Sequence, residues 1–395
     1  MKLQILGGVM CSLLLLFPAC SVDEGDGIEP EGITFVFSDL LNIRGYSAQQ
    51  TLDGGYVVIG FRQTTTVQAM VLIKMDQNGE LLWKRDFEGR YTIPSPGTIK
   101  GGWCVQQNQD GGYILLGTQF DKSNLNFLNL SHIIRTDQLG TPIWEQKITP
   151  LIQYVRNTSD NGFIVLGTSK RHDGGQGNIL FLEKMDGAGS KEWIKYYSGV
   201  KTVKGKMVQQ TKDGGYILLG TAGNWEEYEI YVVKVNASGT EEWITTLGNT
   251  KRPVEGIAIQ QTSDGGYIVL GYSQDTPEKR GGNYVFKLDN TGSVVWENTS
   301  SSFAPGIQET PDGGYIMVID AYWSHPDLLK MDRTGKVLWE KPIELDPPPF
   351  WIMNFDDIQN TSDGGYLISG MVGDHLLLVK TDKNGYCRGN LKYLP

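Results

Sequence analysis

Cysteine and histidine are scarce in this chain of 395 residues, with four of each. So few cysteines exclude a dense disulfide framework, and four histidines leave little material for a histidine-rich metal centre. The sequence also lacks Gly-x-Ser-x-Gly, His-Glu-x-x-His and phosphate-loop motifs, which mark common hydrolases and nucleotide-binding enzymes. We therefore expect no recognisable catalytic set, no bound metal and no cofactor.

Positive charge is in deficit as well. The chain has 35 lysines and arginines against 45 aspartates and glutamates, which gives a formal net charge of −10 at pH 7. Attraction between basic side chains and the phosphate backbone dominates affinity for nucleic acid, so a nucleic-acid partner is excluded. Fifty glycines suit short strands joined by tight turns, and we expect a monomer with few long helices.

The first 19 residues have the pattern of an export signal. Lys2 precedes a leucine-rich apolar run that ends at Phe17, which is shorter than the ~20 residues that span a bilayer. The segment Leu16–Cys20 resembles a bacterial lipobox, in which the cysteine is lipidated and becomes the new N-terminus. The alternative is an ordinary signal that is cleaved near Ala19.

Residues 20–31 are acidic and glycine-rich, which indicates a flexible tether. They resemble the acidic surface-export signal that follows the lipidated cysteine in Bacteroidota lipoproteins, although such a run can also be a plain solvated linker. We therefore expect an exported protein that is anchored in the outer membrane through a lipid on Cys20 and faces the periplasm or the cell surface.

The remainder of the chain, residues 32–395, is built from seven copies of one repeat. Its first motif is Gln-Gln-Thr-x-Asp-Gly-Gly-Tyr followed by aliphatic residues, and successive copies are about fifty residues apart, a period typical of propellers. The aspartates of the seven copies are Asp53, Asp110, Asp160, Asp213, Asp264, Asp312 and Asp363.

A second motif, Lys-Met-Asp-x-x-Gly-x-x-x-Trp with variants, follows each first motif by about twenty residues. Its tryptophans are Trp83, Trp144, Trp193, Trp243, Trp296 and Trp339, and the seventh copy has Gly389 instead. Such periodic placement favours packing of each blade against its neighbour over ligand binding, because a ligand uses one asymmetric site. Replacement of Trp243 by alanine should then cost ~3 to 5 kcal/mol of stability.

Each repeat contains four predicted strands, which in the first copy are residues 46–51, 55–60, 70–75 and 80–86. Asp-Gly-Gly and Asp-x-x-Gly supply positive φ at the two hairpin turns between them. A lone strand at 32–37 can complete the seventh unit and seal the ring, which leaves no long sheet edge exposed. The predicted fold class is an all-β, seven-bladed β-propeller with four antiparallel strands per blade.

The second motif resembles the tryptophan-docking repeat of quinoprotein-like propellers, a group that includes a lipoprotein of the outer-membrane β-barrel assembly machinery. The first motif resembles tandem repeats of exported bacterial proteins. Quinoprotein dehydrogenases typically have eight blades and many carry a vicinal cysteine pair, both of which this sequence lacks. The resemblance therefore implies the fold and leaves the function open.

Candidate binding residues come from the variable connections between strands two and three and between blades, because such loops on a rigid scaffold usually carry the binding function. Aromatic rings there could stack on a sugar or grip a peptide. Packing within the loops is the alternative for any one ring. The candidates are Trp225, Tyr228, Tyr272, Tyr322, Trp323, His325, Phe350 and Trp351.

Three functions are compatible with this pattern. The favoured one is a non-catalytic binding module for a glycan or a protein, at the cell surface or facing the periplasm. The alternatives are a scaffold for outer-membrane assembly and a polysaccharide hydrolase or lyase, since carboxylates that converge on a propeller channel leave no sequence motif.

Overall fold

The fold is seen in a computed structural model. It describes residues 33–37, 43–63, 68–88, 103–120, 129–171, 175–197, 202–223, 227–248, 253–273, 281–300, 302–319, 326–343, 353–372, 375–386 and 392–394. The predicted signal segment 1–19, the tether 20–31 and the proposed lipidation residue Cys20 lie outside these ranges. So does Cys387, whereas Cys104 is a buried free thiol.

The described chain folds into seven antiparallel sheets that correspond to the seven repeats. The first strands are β2 (Ile43–Gln50), β6 (Cys104–Gln107), β10 (Ile152–Asn157), β14 (Val203–Gln210), β18 (Glu255–Gln261), β22 (Ile307–Glu309) and β26 (Met353–Asn360). The second strands are β3 (Tyr56–Gln63), β7 (Tyr113–Phe120), β11 (Phe163–Lys170), β15 (Tyr216–Gly223), β19 (Tyr267–Ser273), β23 (Tyr315–Ile319) and β27 (Tyr366–Val372).

The outer half of each sheet is equally regular. The third strands are β4 (Gln68–Met75), β8 (Asn129–Thr136), β12 (Asn178–Met185), β16 (Tyr228–Val235), β20 (Gly282–Leu288), β24 (Asp327–Met331) and β28 (His375–Thr381). The fourth strands are β5 (Leu81–Glu88), β9 (Pro142–Ile148), β13 (Lys191–Tyr197), β17 (Glu241–Leu247), β21 (Val294–Ser300) and β25 (Val337–Pro342), with β1 (Ile33–Phe37) in the seventh sheet. The predicted seven-bladed, all-β fold class is confirmed.

The sheets are arranged as blades around an axis. Each first strand contacts the first strand of the next blade, and β26 of blade 7 contacts β2 of blade 1, so the first strands form the inner ring. One buried apolar cluster lies between each pair of neighbouring blades. Among the described residues no helix is long and apolar enough to cross a membrane.

The seventh sheet has one strand more than the predicted four. Its order is β26, β27, β28, β1 and β29 (Lys392–Leu394). Strand β1 pairs antiparallel with β28, with Phe35 opposite Leu378, and β29 pairs parallel with β1. The sequence pattern did not predict this added strand, which occupies the outer edge of β1 and shortens the exposed edge of the blade.

An ion pair between a buried basic side chain and an exposed aspartate stabilises the first hairpin of every blade. In blade 1 the Lys74 ammonium lies 2.9 Å from the Asp53 carboxylate, and that carboxylate also accepts hydrogen bonds from Thr51 and from the Gly55 backbone. The same pair recurs as Arg135 with Asp110, Lys184 with Asp160, Lys234 with Asp213, Lys287 with Asp264, Lys330 with Asp312 and Lys380 with Asp363. The lysine of the second motif, which is an arginine in blade 2, therefore stabilises the turn that the first motif forms in the same blade.

The repeated tryptophans contact the following blade. The Trp243 ring centroid lies 5.6 Å from that of Tyr267 in an edge-to-face arrangement. Its indole also covers the next Asp-x-x-Gly turn, where a Cβ added to Gly292 would lie 2.7 Å from the ring. Only glycine fits at that position, because the space is filled and φ is +84°. Equivalent contacts join Trp83 to Gly140, Trp144 to Gly189, Trp193 to Gly239, Trp296 to Gly335 and Trp339 to Gly385.

Candidate functional site

Two polar residues that precede the Asp-Gly-Gly turn connect neighbouring blades of the inner ring. The Gln49 side-chain oxygen accepts a hydrogen bond from the Gln107 backbone amide of the next blade at 2.9 Å. The Gln107 side-chain oxygen accepts in return from the Leu52 amide at 2.7 Å. We call this reciprocal pair the glutamine clasp. It satisfies backbone groups at the ends of the inner strands, which have no partner within their own sheet.

The glutamine clasp recurs around the ring. Its first half joins Gln106 to Asn157, Gln209 to Gln261 and Gln260 to Glu309. Its second half joins Gln210 to Ser159, Gln261 to Lys212, Glu309 to Ser263 and Gln50 to Ser362. The last of these contacts links blade 1 to blade 7.

One blade departs from this pattern at the first glutamine. The residue four positions before the turn aspartate is glutamine in six repeats, namely Gln49, Gln106, Gln209, Gln260, Gln308 and Gln359. In blade 3 it is Arg156. Arginine has no side-chain acceptor, so it cannot bind the backbone amide of the next blade in the way that the glutamines do.

The Arg156 side chain is directed to other polar groups. Its Nη2 donates a hydrogen bond to the Tyr154 hydroxyl at 2.7 Å, and the guanidinium carbon lies 5.0 Å from the Tyr154 ring centroid. Its Nε is buried and has no hydrogen-bond partner among the described residues. A buried donor without a partner costs free energy in the unbound protein.

A carboxyl group of blade 7 faces the same centre. Asp357 accepts hydrogen bonds from the Gln359 amide at 3.0 and 3.2 Å and from the Ser47 hydroxyl. Burial raises the pKa of Asp357 to about 6, against the lowering effects of Gln359 and of the Arg156 charge. Blades 3 and 7 are not neighbours, so this electrostatic influence acts across the inner ring rather than within one blade interface.

The inner ring carries an ion pair between blades 4 and 5. The Lys206 ammonium lies 3.2 Å from a Glu255 carboxylate oxygen. Burial lowers the pKa of Lys206 to about 8, although the Glu255 charge acts in the opposite direction. Burial also raises the pKa of the Cys104 thiol to about 11, which makes Cys104 an inert neutral group at physiological pH.

These charged residues make the centre of the ring asymmetric. Arg156 can bind an acidic group, while Asp357 and the Tyr154 hydroxyl can bind donors of the same ligand. Within the part of the chain that the structure describes, no three histidine, cysteine, aspartate or glutamate side chains are grouped as metal ligands. The arrangement is suited to recognition of a polar ligand that carries an acidic group.

The aromatic binding candidates predicted from the sequence do not coincide with this group of inner-ring residues. Tyr228 is half-buried at the start of β16, and the Tyr272 ring of β19 packs edge-to-face on Phe303 at 5.3 Å. Neither strand belongs to the inner ring. The remaining candidates, Trp225, Tyr322, Trp323, His325, Phe350 and Trp351, lie outside the described residues.

Sequence reasoning missed Arg156, Tyr154, Asp357, Lys206 and Glu255. The signal for Arg156 was nevertheless present, because alignment of the seven copies shows one arginine where all others have glutamine. The signal for Asp357 was weaker, since the position six residues before the turn aspartate varies among the copies. Departures from a repeat are therefore better markers of this site than the repeat itself.

Comparison with known proteins agrees with the fold. No family profile matches the chain, and no curated protein matches its sequence significantly. Solved structures match in shape. The structure of the polysaccharide lyase Uly1 is similar with a TM-score of 0.57 and 10% identity, covering 86% of this chain and 90% of that one.

Two further structures show the same likeness. BBS1N, solved in complex with ARL6DN, is similar with a TM-score of 0.51 and 9% identity over 88% of this chain and 95% of that one. Sqt1 of Chaetomium thermophilum is similar with a TM-score of 0.50 and 10% identity over 91% and 99% of the two chains. At such low identity these likenesses show the propeller fold alone.

Proposed function

We propose that this protein is a non-catalytic binding module whose propeller binds an acidic group of a glycan or protein ligand at the centre of the inner ring. The observation that carries the proposal is Arg156, which replaces a glutamine of the clasp and has a buried donor without a partner. The fold itself does not require an arginine there, because six blades are built with glutamine.

The overall charge of −10 does not oppose such binding. Charges that are more than a screening length of about 8 Å apart are largely masked at physiological salt. Arg156 therefore determines the local preference at the ring, since Lys206 is paired with Glu255, and a uronate or an acidic side chain fits its chemistry. The opposing Asp357 carboxyl orients the ligand, because it accepts hydrogen bonds from hydroxyl or amide groups.

The setting of the binding module is the one that the N-terminal sequence indicates. An export signal, a lipid on Cys20 and an acidic tether would hold the propeller at the outer membrane, facing the periplasm or the cell surface. The aromatic residues of the variable connections, above all Trp225 and Trp323, would contact the part of the ligand that extends beyond the ring.

Arg156→Gln tests the proposal, because it restores the residue of the other blades. The purified protein is first screened on glycan and peptide arrays, and each hit is measured by titration calorimetry. We expect Arg156→Gln to weaken binding by about tenfold or more, as for loss of a charge-assisted contact, without loss of thermal stability.

Gln209→Ala is the matched control, since it removes a clasp residue in the next blade and should leave affinity unchanged. If Arg156→Gln binds every hit as tightly as the native chain, the ring is not the site. Trp225→Ala and Trp323→Ala test the aromatic contacts in the same titration.

A lyase or hydrolase of acidic polysaccharide is the second candidate. A carboxyl with a pKa of about 6, near a tyrosine hydroxyl and a guanidinium, is suited to proton transfer near neutral pH. Incubation with a panel of acidic polysaccharides tests it. Product formation that disappears in Asp357→Asn would support catalysis, and unchanged polymer length with the native chain would exclude it for those substrates.

A further inference from the structure

A cavity separate from the inner ring lies between blades 2 and 3. It has a volume of about 340 Å³, within the range of small-ligand sites. Its lining includes Phe181, Glu183 and Met185 of β12, which are buried, and Tyr196 of β13, which is 47% exposed. The exposed Thr149 and Pro150 border it as well, so the cavity has an apolar floor and an open mouth.

Glu183 is a buried carboxylate at a position where the fold uses apolar residues. It lies three residues before the aspartate of the second motif, and its side chain is on the same face of β12 as Phe181 and Met185. In the other six blades this position is filled by Ile73, Ile134, Val233, Phe286, Leu329 and Val379, all of which are buried in the interface with the preceding blade.

The partner of this carboxylate is a surface lysine. The Lys191 ammonium lies 3.2 Å from Glu183, but the Lys191 side chain is 52% exposed whereas that of Glu183 is 10% exposed. Desolvation of a carboxylate is expensive, and a solvated lysine returns little of that cost. The pair therefore does not account for a buried charge that six blades avoid.

We propose that this cavity binds a primary ammonium group carried on an apolar chain or ring. Glu183 binds the ammonium in place of Lys191, which moves into solvent. Phe181 and Tyr196, whose ring centroids are 6.5 Å apart, and the thioether of Met185 contact the apolar part. Aromatic faces attract a desolvated cation, and a thioether packs favourably on an aromatic ring.

Phenethylamine is the probe, and the methyl resonance of Met185 is the reporter. The protein is labelled with carbon-13 at its methionine methyl groups, and the Met185 peak is assigned with Met185→Leu. Met75 and Met331 occupy the same position in blades 1 and 6 and serve as internal controls. We expect saturable movement of the Met185 peak alone.

Two analogues of similar shape test the role of charge. Phenethyl alcohol is uncharged, and phenylpropionate is an anion. We expect each to bind about tenfold more weakly than phenethylamine, as for loss of one charge-assisted contact. A lysine-containing peptide in a parallel titration distinguishes a protein side chain from a free amine as the source of the ammonium.

Two variants separate this role from a structural one. Glu183→Val installs the residue that blade 4 has at this position, so it should fold normally and lose the affinity for phenethylamine. Lys191→Met removes the competing ammonium and should strengthen binding, whereas a purely structural ion pair predicts only a loss of stability. An unmoved Met185 peak, or equal affinity in Glu183→Val, would overturn the proposal.

Discussion

Single residues of this protein fall into two groups, those that repeat and those that do not. Six aspartates of the first hairpins have a lowered pKa and are stabilised as anions, namely Asp53, Asp160, Asp213, Asp264, Asp312 and Asp363. Burial by itself would raise the pKa of Asp213, but hydrogen bonds from Thr211 and Lys234 outweigh burial and lower it to about 2. Asp357 does not repeat and behaves in the opposite way, since its pKa is raised to about 6 by burial. The two groups thus respond differently to pH.

The Asp357 carboxyl predicts a pH dependence of stability with a definite sign. Its pKa is about 6 in the folded state and 3.8 as the reference value, so between these values the native state binds more protons than the unfolded one. The contribution of Asp357 to stability should therefore fall as the pH rises from about 4 to 6, by an amount on the order of 2 kcal/mol.

Asp357→Asn is neutral at every pH and isolates this effect. The difference in unfolding free energy between the native chain and Asp357→Asn, measured in urea across that interval, should change by the predicted amount. The hairpin aspartates cancel in this difference, because both proteins contain them. A difference that stays constant with pH would contradict the raised pKa.

Trp243→Ala tests the repeated tryptophans. The indole packs on Tyr267 and on the Gly292 turn of the next blade, and it is partly rather than fully buried. We expect a loss near the lower end of the range for large aromatic residues, about 3 kcal/mol, in urea unfolding. Val295→Ala, at a site that is 61% exposed, is the control and should change stability by less than about 0.5 kcal/mol.

At the level of elements, the inner strands are held to their neighbours by side chains as well as by buried apolar surface. The glutamine clasp reaches from one blade to the next, whereas ladder hydrogen bonds stay within one sheet. The outer strands have a similar contact, since the Gln146 amide donates to the Gly189 carbonyl of the next blade at 2.7 Å. These polar contacts fix the position of each blade relative to its neighbour along the ring axis.

Gln209→Ala should weaken one clasp without changing the blades themselves. The Gln209 side-chain oxygen accepts from the Gln261 amide at 2.9 Å, and its removal leaves that amide without this partner. We expect a loss of about 1 kcal/mol in urea unfolding. Hydrogen exchange of the Gln261 amide should increase in parallel, and unchanged exchange at this amide would show that the clasp contributes nothing.

At the level of the whole molecule, the N-terminal strand and the C-terminal segment meet in the same sheet. Strand β1 is hydrogen-bonded between β28 and β29, and the cores of blades 7 and 1 share one apolar cluster. An unpaired β28 would present an open edge, and open edges promote pairing with other chains.

Removal of residues 1–37 tests the importance of this strand. We expect the shortened protein to unfold at a lower temperature and to self-associate in size-exclusion chromatography with light scattering. Removal of residues 1–31 is the matched control, because it takes away the predicted leader and tether but keeps β1. Identical behaviour of the two truncations would show that β1 is dispensable.

The sequence by itself determined the seven blades and their turns, because a repeat exposes the features that every copy needs. Asp-Gly-Gly and Asp-x-x-Gly specify tight turns through local backbone conformation, and aliphatic strands between them specify blades covered on both faces. The observed strand ends differ from the predicted ones by a few residues. Strand β2, for example, begins at Ile43, whereas the sequence pattern predicted 46.

The tertiary structure alone decided which exceptional residues act together. Arg156 and Asp357 are about 200 residues apart in sequence and belong to blades 3 and 7, yet the inner ring brings their charges within mutual influence. The role proposed for Glu183 likewise depends on tertiary structure, because residues of blade 2 form part of the cavity that it lines. Such sites depend on closure of the ring and on neighbouring blades, which local sequence patterns do not encode.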